Sequence, residues 1–94
     1  MSMTRINEFQ AKEGQAGALH TFLARLIPTI AALPGCQSCR LLQSHDEPLR
    51  FIVLESWESI EAHQAAVKDI PSESLAELMR LLNGRTTGAY YHDQ

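Results

Sequence analysis

The sequence predicts an α+β fold of the ferredoxin-like, split-βαβ kind, with element order β-α-β-β-α-α-β. Three observations predict it. Leu19, Phe22, Leu23, Leu26, Ile30 and Leu33 recur at helical spacing over one long segment. Residues 36–45 and 49–57 have strand character and flank the turn Asp46-Glu47-Pro48, the pattern of a hairpin. Strand-prone segments also stand near both chain ends, at 3–11 and 86–93.

Each element has its own signal. MTRINEFQA (3–11) alternates well enough for a strand, and Lys12-Glu13-Gly14 is turn chemistry. Pro28 sits inside the long helical pattern; it removes one backbone hydrogen bond and is expected to bend the helix near Ala24. Pro34-Gly35 stops the helix. On the third strand Phe51, Val53, Glu55 and Trp57 share one face, and Ile52, Leu54 and Ser56 the other. Both faces are mostly apolar, so this strand is expected to be covered on both sides. Ser59 is suited to cap a helix running to about Lys68. Asp69-Ile70-Pro71 interrupts it, and Ser72 or Ser74 is expected to cap the next, with Leu75, Leu78, Met79 and Leu82 in register up to Asn83-Gly84.

Size and charge bound the rest. Ninety-four residues make one domain, and 45% apolar with 20% charged residues is ordinary globular composition. The formal charge is −3 and no Lys/Arg cluster stands out, so nucleic acid is not an expected partner. No apolar run approaches the roughly 20 residues that span a membrane. MSMTRINEF turns polar at once, so no membrane association is expected and a cytoplasmic location is. Helices can cover one face of a four-stranded sheet, and an apolar second face needs a partner. A homodimer packed through the sheet face is the simplest closed solution.

Cys36-Gln37-Ser38-Cys39 is a CxxC pattern without the second pair that a zinc site requires. It follows a Pro-Gly break and opens a strand, where three residues span about 10 Å, too far for a disulfide. Two small core-filling thiols are expected instead.

A strand ending in EFQAKEGQ, a helix ending in LPGCQSC, and the run RFIVLESWESIEAH resemble the antibiotic biosynthesis monooxygenase (ABM) family. The resemblance spans Ile6 to Tyr91. Its markers are Lys12, Gly14, Pro34-Gly35-Cys36, Phe51, Glu55 and Trp57, followed by Ser59 and Glu61-Ala62. It implies a dimeric α+β barrel of ferredoxin-like subunits. Within such a family one branch oxidises quinol or polyketide substrates with O2 and without metal or flavin, a second degrades haem, and others are isomerases. The haem-degrading branch has an Asn on the first strand, matched by Asn7. It also has a second-helix Trp, at the position of Ala66, and an axial His further on, where nothing between Gln64 and Tyr91 is His. Haem is therefore not the expected substrate.

The candidate residues follow from pattern and resemblance together. His63 shares a helical stripe with Ile60, Val67 and Ile70, so an imidazole points where a core aliphatic is expected. Its ordinary pKa of about 6.5 suits it to take a proton from a phenol or quinol; the plain alternative is a hydrogen bond to a tyrosine. Asn7, an amide on a covered strand face, needs a partner, and the resemblance makes it substrate-facing. His63 and Asn7 are the catalytic candidates. Trp57, Phe9, Phe22, Tyr90 and Tyr91 are the substrate-binding candidates, with Tyr90 and Tyr91 necessarily on opposite faces of the last strand. Glu55 shares the Trp57 face and can be buried, with Arg5 or Arg50 as its pair. His20, His45 and His92 read as solvated, and the four histidines have no metal-ligand spacing. With no flavin, nicotinamide or metal motif, no cofactor is expected. The expected function is cofactor-independent oxidation of a small electron-rich aromatic. A non-catalytic small-molecule-binding or stress-response dimer and an isomerase using the same cleft are the alternatives.

Overall fold

Alternation along the strands sorts this chain into two faces, and the helices take one of them. The computed structural model describes residues 2–84 and 86–94. Four strands, β1 (Met3–Gln10), β2 (Cys36–Gln43), β3 (Arg50–Trp57) and β4 (Thr87–Tyr91), form one antiparallel sheet in the order β2-β3-β1-β4. Three helices, α1 (Ala16–Ala31), α2 (Ile60–Val67) and α3 (Ser72–Leu81), complete the ferredoxin-like α+β order that the sequence predicts.

Register decides which residues meet. Arg5 pairs with Glu55 on one side and Tyr90 on the other; Asn7 pairs with Val53 and Gly88. Phe51, Val53, Glu55 and Trp57 are all buried beneath the helices. The main core joins Phe51 and Val53 to Leu19, Phe22 and Leu23 of α1 and to Leu78 of α3. Each such aliphatic or aromatic side chain removed from water contributes roughly 1.5–3 kcal/mol. A second cluster of Trp57, Ile30 and Ala66 closes the other end.

The opposite face holds Ile6, Ile52, Leu54 and Leu42, and none of its residues is buried. Within this chain the helices thus cover β3 on one side, and the cover expected on its other side is that of a partner.

Several boundaries differ from the sequence reading. Helix α1 continues through Pro28 and ends at Ala31, short of Leu33. Gly35 has φ 86°, and a Cβ there would lie 2.6 Å from the Ala62 Cβ, so the α1–β2 turn needs glycine both for conformation and for its approach to α2. Ser59 caps α2 as expected, its hydroxyl accepting from the Ala62 N–H at 3.0 Å. In α3 Pro71 occupies the cap position and Ser72 is the first helical residue, so neither serine caps it. Leu78 is buried while Leu75 and Met79 are exposed, because α3 touches the core along a narrower stripe than the leucine pattern suggests. Leu82 is buried beyond the helix end, bridged to Ala11.

Strand β2 carries a bulge between Cys36 and Ser38. It places Gln37 and Ser38 together on the open side and turns both cysteines toward the helices, with Cys36 opposite Trp57 and Cys39 opposite Glu55. Both thiols are free, and burial, with Glu55 nearby, pushes Cys39 up to about 12.

Candidate active site

Period-two alternation on β1 sends Arg5, Asn7 and Phe9 to the helix side, and the same alternation on β3 sends Glu55 beside them. Between them and the helices lies a cavity of about 320 Å³. Phe9, Phe22, Leu23 and Leu26 form apolar walls, and Val67 and Leu75, each about half exposed, stand at its edge. Arg5, Asn7, Glu55 and His63 supply its polar groups.

These polar residues form a connected chain. The Arg5 Nε donates to Asn7 Oδ1 at 3.0 Å, and Asn7 Nδ2 donates to Glu55 Oε2 at 2.9 Å. Trp57 Nε1 donates to Glu55 Oε1 at 2.8 Å. Each carboxylate oxygen thus receives one N–H, the arrangement a buried acceptor-only group requires. His63 Nδ1 is 2.6 Å from the Tyr90 hydroxyl, and its Nε2 is 3.9 Å from Glu55 Oε1. With the Tyr90 O–H donating to Nδ1, the ring proton sits on Nε2 and faces the carboxylate. Edge-on contacts with Trp57 and Tyr90, at 5.2 and 5.3 Å between ring centroids, hold the imidazole in place.

Burial sets the protonation of the pair. It pushes Glu55 above its ordinary 4.5, against the lowering effects of the Trp57 hydrogen bond, the Arg5 charge and the Asn7 hydrogen bond. Burial, and then the Arg5 charge, holds His63 below 6.5, so at neutral pH the imidazole is uncharged. A carboxylate made more basic by burial, beside a neutral imidazole, is chemically able to accept a proton from an acidic hydroxyl.

His63 is indeed inward, but its stripe is not the expected one: Ala66 is the other buried residue of α2, while Val67 is exposed. Phe9 and Phe22 border the cavity with Asn7 and His63. Trp57 lies behind Glu55 and His63, nearly fully buried, and does not border the cavity. Tyr90 is on the helix side, bonded to His63; Tyr91 points to the open face and is half exposed. Arg50 pairs with Glu47 at 2.9 Å rather than with Glu55, and Arg5 reaches Asn7. Arg5 and Glu55 join the cavity although the sequence pattern does not mark them as site residues. The spacing of Arg5 and Asn7, two apart on a strand, and of Glu55 and Trp57 already placed each pair on one face.

A model of the antibiotic biosynthesis monooxygenase family matches residues 2–83. The chain belongs to that family. The ABM fold is also that of solved structures similar to this one. Rv0793 from Mycobacterium tuberculosis is 21% identical, with TM-score 0.86 and coverage of 100% of this chain and 96% of that one. SnoaB, a cofactor-independent oxygenase from Streptomyces nogalater, is 19% identical, with TM-score 0.83 and coverage of 99% and 93%. SO0527 from Shewanella oneidensis is 26% identical, with TM-score 0.84 and coverage of 98% and 90%. No curated protein matches the chain significantly. Family membership supports a monooxygenase-like role in general terms. Among the described residues of this ABM protein, no group of three or more His, Cys, Asp or Glu side chains is placed to hold a metal ion, and no helix is long and apolar enough to cross a membrane.

Proposed function

We propose that this ABM protein is a monooxygenase that oxidises a small electron-rich aromatic, a quinol or a polyketide-like phenol, with O2 and without a bound cofactor. The observation that carries the reading is the cavity itself: aromatic and aliphatic walls able to take a flat ring, meeting a buried carboxylate and a neutral imidazole. A phenol that gives up its proton there becomes an anion able to pass an electron to O2. The protein needs to bind it, accept the proton and exclude water. The oxidation of a phenol to a quinone balances without a further reductant. The ring C–H and the O–H are lost, one oxygen atom stays on the ring, and the other leaves as water.

In this reading His63 and Glu55 handle the proton. Asn7 keeps one N–H and one lone pair for the ligand after its bonds to Glu55 and Arg5. Phe9 and Phe22 face the ring. Tyr90 acts through its hydrogen bond to His63, and Trp57 by holding Glu55. The open sheet face, with Ile6, Ile52 and Leu54 half-buried in the isolated chain, supports a homodimer formed through that face.

Oxygen uptake with a panel of quinols and hydroxylated polycyclic aromatics tests the function. Saturable uptake of one O2 per substrate consumed, unaffected by chelators and without added flavin, is expected. Conversion of the substrate without O2 uptake would instead mark an isomerase, and tight binding without conversion a binding protein.

A further inference from the structure

Arg5 is the one Lys or Arg among the described residues that line the cavity, and its charge has no direct ion-pair partner among the described residues. Its Nε is committed to Asn7, and no hydrogen bond or ion pair of the described residues uses its two terminal nitrogens. The guanidinium lies over the Tyr90 ring, 4.7 Å from the centroid, which fixes its plane. It can lie there only because β4 carries glycine opposite Asn7. A Cβ at Gly88 would fall on the guanidinium, 2.7 Å from Cζ, and 2.9 Å from the Asn7 Oδ1. Glu55, the carboxylate among the described lining residues, is reached through Asn7 rather than directly. A partly buried guanidinium, oriented by a stacked ring and an amide and left with unspent N–H donors beside a cavity, is built to receive an oxygen anion.

We infer that Arg5, seated over Gly88 and Tyr90, forms an oxyanion subsite that binds its aromatic ligand as the phenolate or enolate. The inference deepens the proposed function and rests on the same cavity. The proton step conserves charge within it. The ligand O–H bond breaks, its proton forms an O–H bond on the Glu55 carboxylate, and the negative charge facing Arg5 passes from Glu55 to the ligand oxygen. One negative charge therefore opposes the guanidinium before and after the transfer, and none is created in the apolar surroundings. Recognition of this kind favours aromatics with an acidic hydroxyl over their methyl ethers, which have the same ring and cannot supply the anion.

The test uses 4-nitrophenol, whose phenolate has its own absorption band, and 4-nitroanisole, its methyl ether. At a pH near the ionisation midpoint of free 4-nitrophenol, the bound dye is expected to show the phenolate band and to bind on the order of 10–100-fold more tightly than the ether, the range for a charge-assisted hydrogen bond. Arg5→Met should bring the two ligands to similar affinity, the phenol losing more than the ether. Arg5→Lys should keep part of the preference. Gly88→Ala, which pushes the guanidinium off its seat, should reproduce Arg5→Met. A neutral bound phenol in the wild-type protein overturns the inference, and so does a phenolate preference that survives Arg5→Met. The wild-type comparison stands even if a variant fails to fold. The readout is binding, so it is separable from turnover: a phenolate preference without O2 uptake keeps the subsite and sinks the monooxygenase reading, while O2 uptake without the preference does the reverse.

Discussion

His63 has both ring nitrogens assigned by its neighbours, Nδ1 to Tyr90 and Nε2 to the side of Glu55, and that limits what the imidazole can do. It accepts a substrate proton either after releasing the Tyr90 hydroxyl or through Glu55. Replacing it with leucine suits the apolar surroundings of Ile30 and Trp57 and removes the imidazole from both partners. If His63 serves the proton step, His63→Leu should lose roughly 10²–10⁴-fold in turnover while the fold persists; unchanged turnover would leave it as a core residue bonded to tyrosine. The same variant has a signature in stability. Burial lowers the pKa of His63 in the folded state below its unfolded value near 6.5, so the folded protein resists protonating it. Its contribution is fully present above pH 6.5 and is lost as pH falls through the folded pKa. Urea unfolding between pH 7 and pH 5 should therefore show a steeper loss of stability in the wild type than in His63→Leu. Glu55 has the opposite sign. Its folded pKa is raised, so its contribution is greatest below about 4.5 and declines as pH rises through the folded value. Replacing Glu55 with glutamine leaves Trp57 or Asn7 facing a second donor and should cost about 1–3 kcal/mol in the same unfolding assay.

The bulge of β2 and the short helix α2 each settle a question about an element. The bulge turns Cys36 and Cys39 to the same covered face, yet burial and the Glu55 charge keep both thiols protonated and poorly nucleophilic. Cys39→Ser is accordingly expected to leave turnover and association intact, at a cost near 1 kcal/mol in stability for a polar atom placed against the core; loss of activity would give the pair a role in chemistry. In α2, Ala66 packs against Ile30 and Trp57, away from the main cavity. The haem-degrading branch that the sequence resembles has a tryptophan at this position, and here it is alanine. Titration with haem should produce no saturable one-to-one shift of its Soret band, and stoichiometric binding followed by ring cleavage would contradict this.

At the scale of the whole molecule the two sheet faces are unequal. The helix face is filled by Phe51, Val53 and Trp57, each at most 3% exposed, whereas Leu54 and Ile52 of the same strand remain half-buried on the other face. Pairing of two open faces would remove those side chains from water in both copies at once, which favours a closed two-fold assembly over a chain of contacts. Sedimentation at micromolar concentration is expected to give twice the chain mass. Leu54→Glu should yield a monomer that retains the helix-side cavity and its ligand affinity. A wild-type monomer in that measurement would remove the case for a barrel built from two sheets.

The sequence alone determined the order of elements, because helical and strand periodicities in this chain rarely overlap: the Leu19–Ile30 spacing and the Phe51–Trp57 alternation each admit one reading. It also marked His63 as inward and placed Asn7 and Phe9 on one strand face, since a strand face follows from odd and even position. It could not set the register in which β4 lies beside β1. That pairing is non-local, and it alone sets Tyr90 against Arg5 and Gly88 against Asn7. The partners of Glu55 were equally out of reach. A buried carboxylate takes whichever donors the folded sheet and core bring within hydrogen-bond length, and here those are an amide and an indole rather than the arginine that charge alone suggests. The bulge in β2 belongs with them, because its extra residue is visible only against the strand it pairs with. The positions of single residues along each element were thus written locally, while the site, a meeting of β1, β3, β4 and α2, was decided by register and packing.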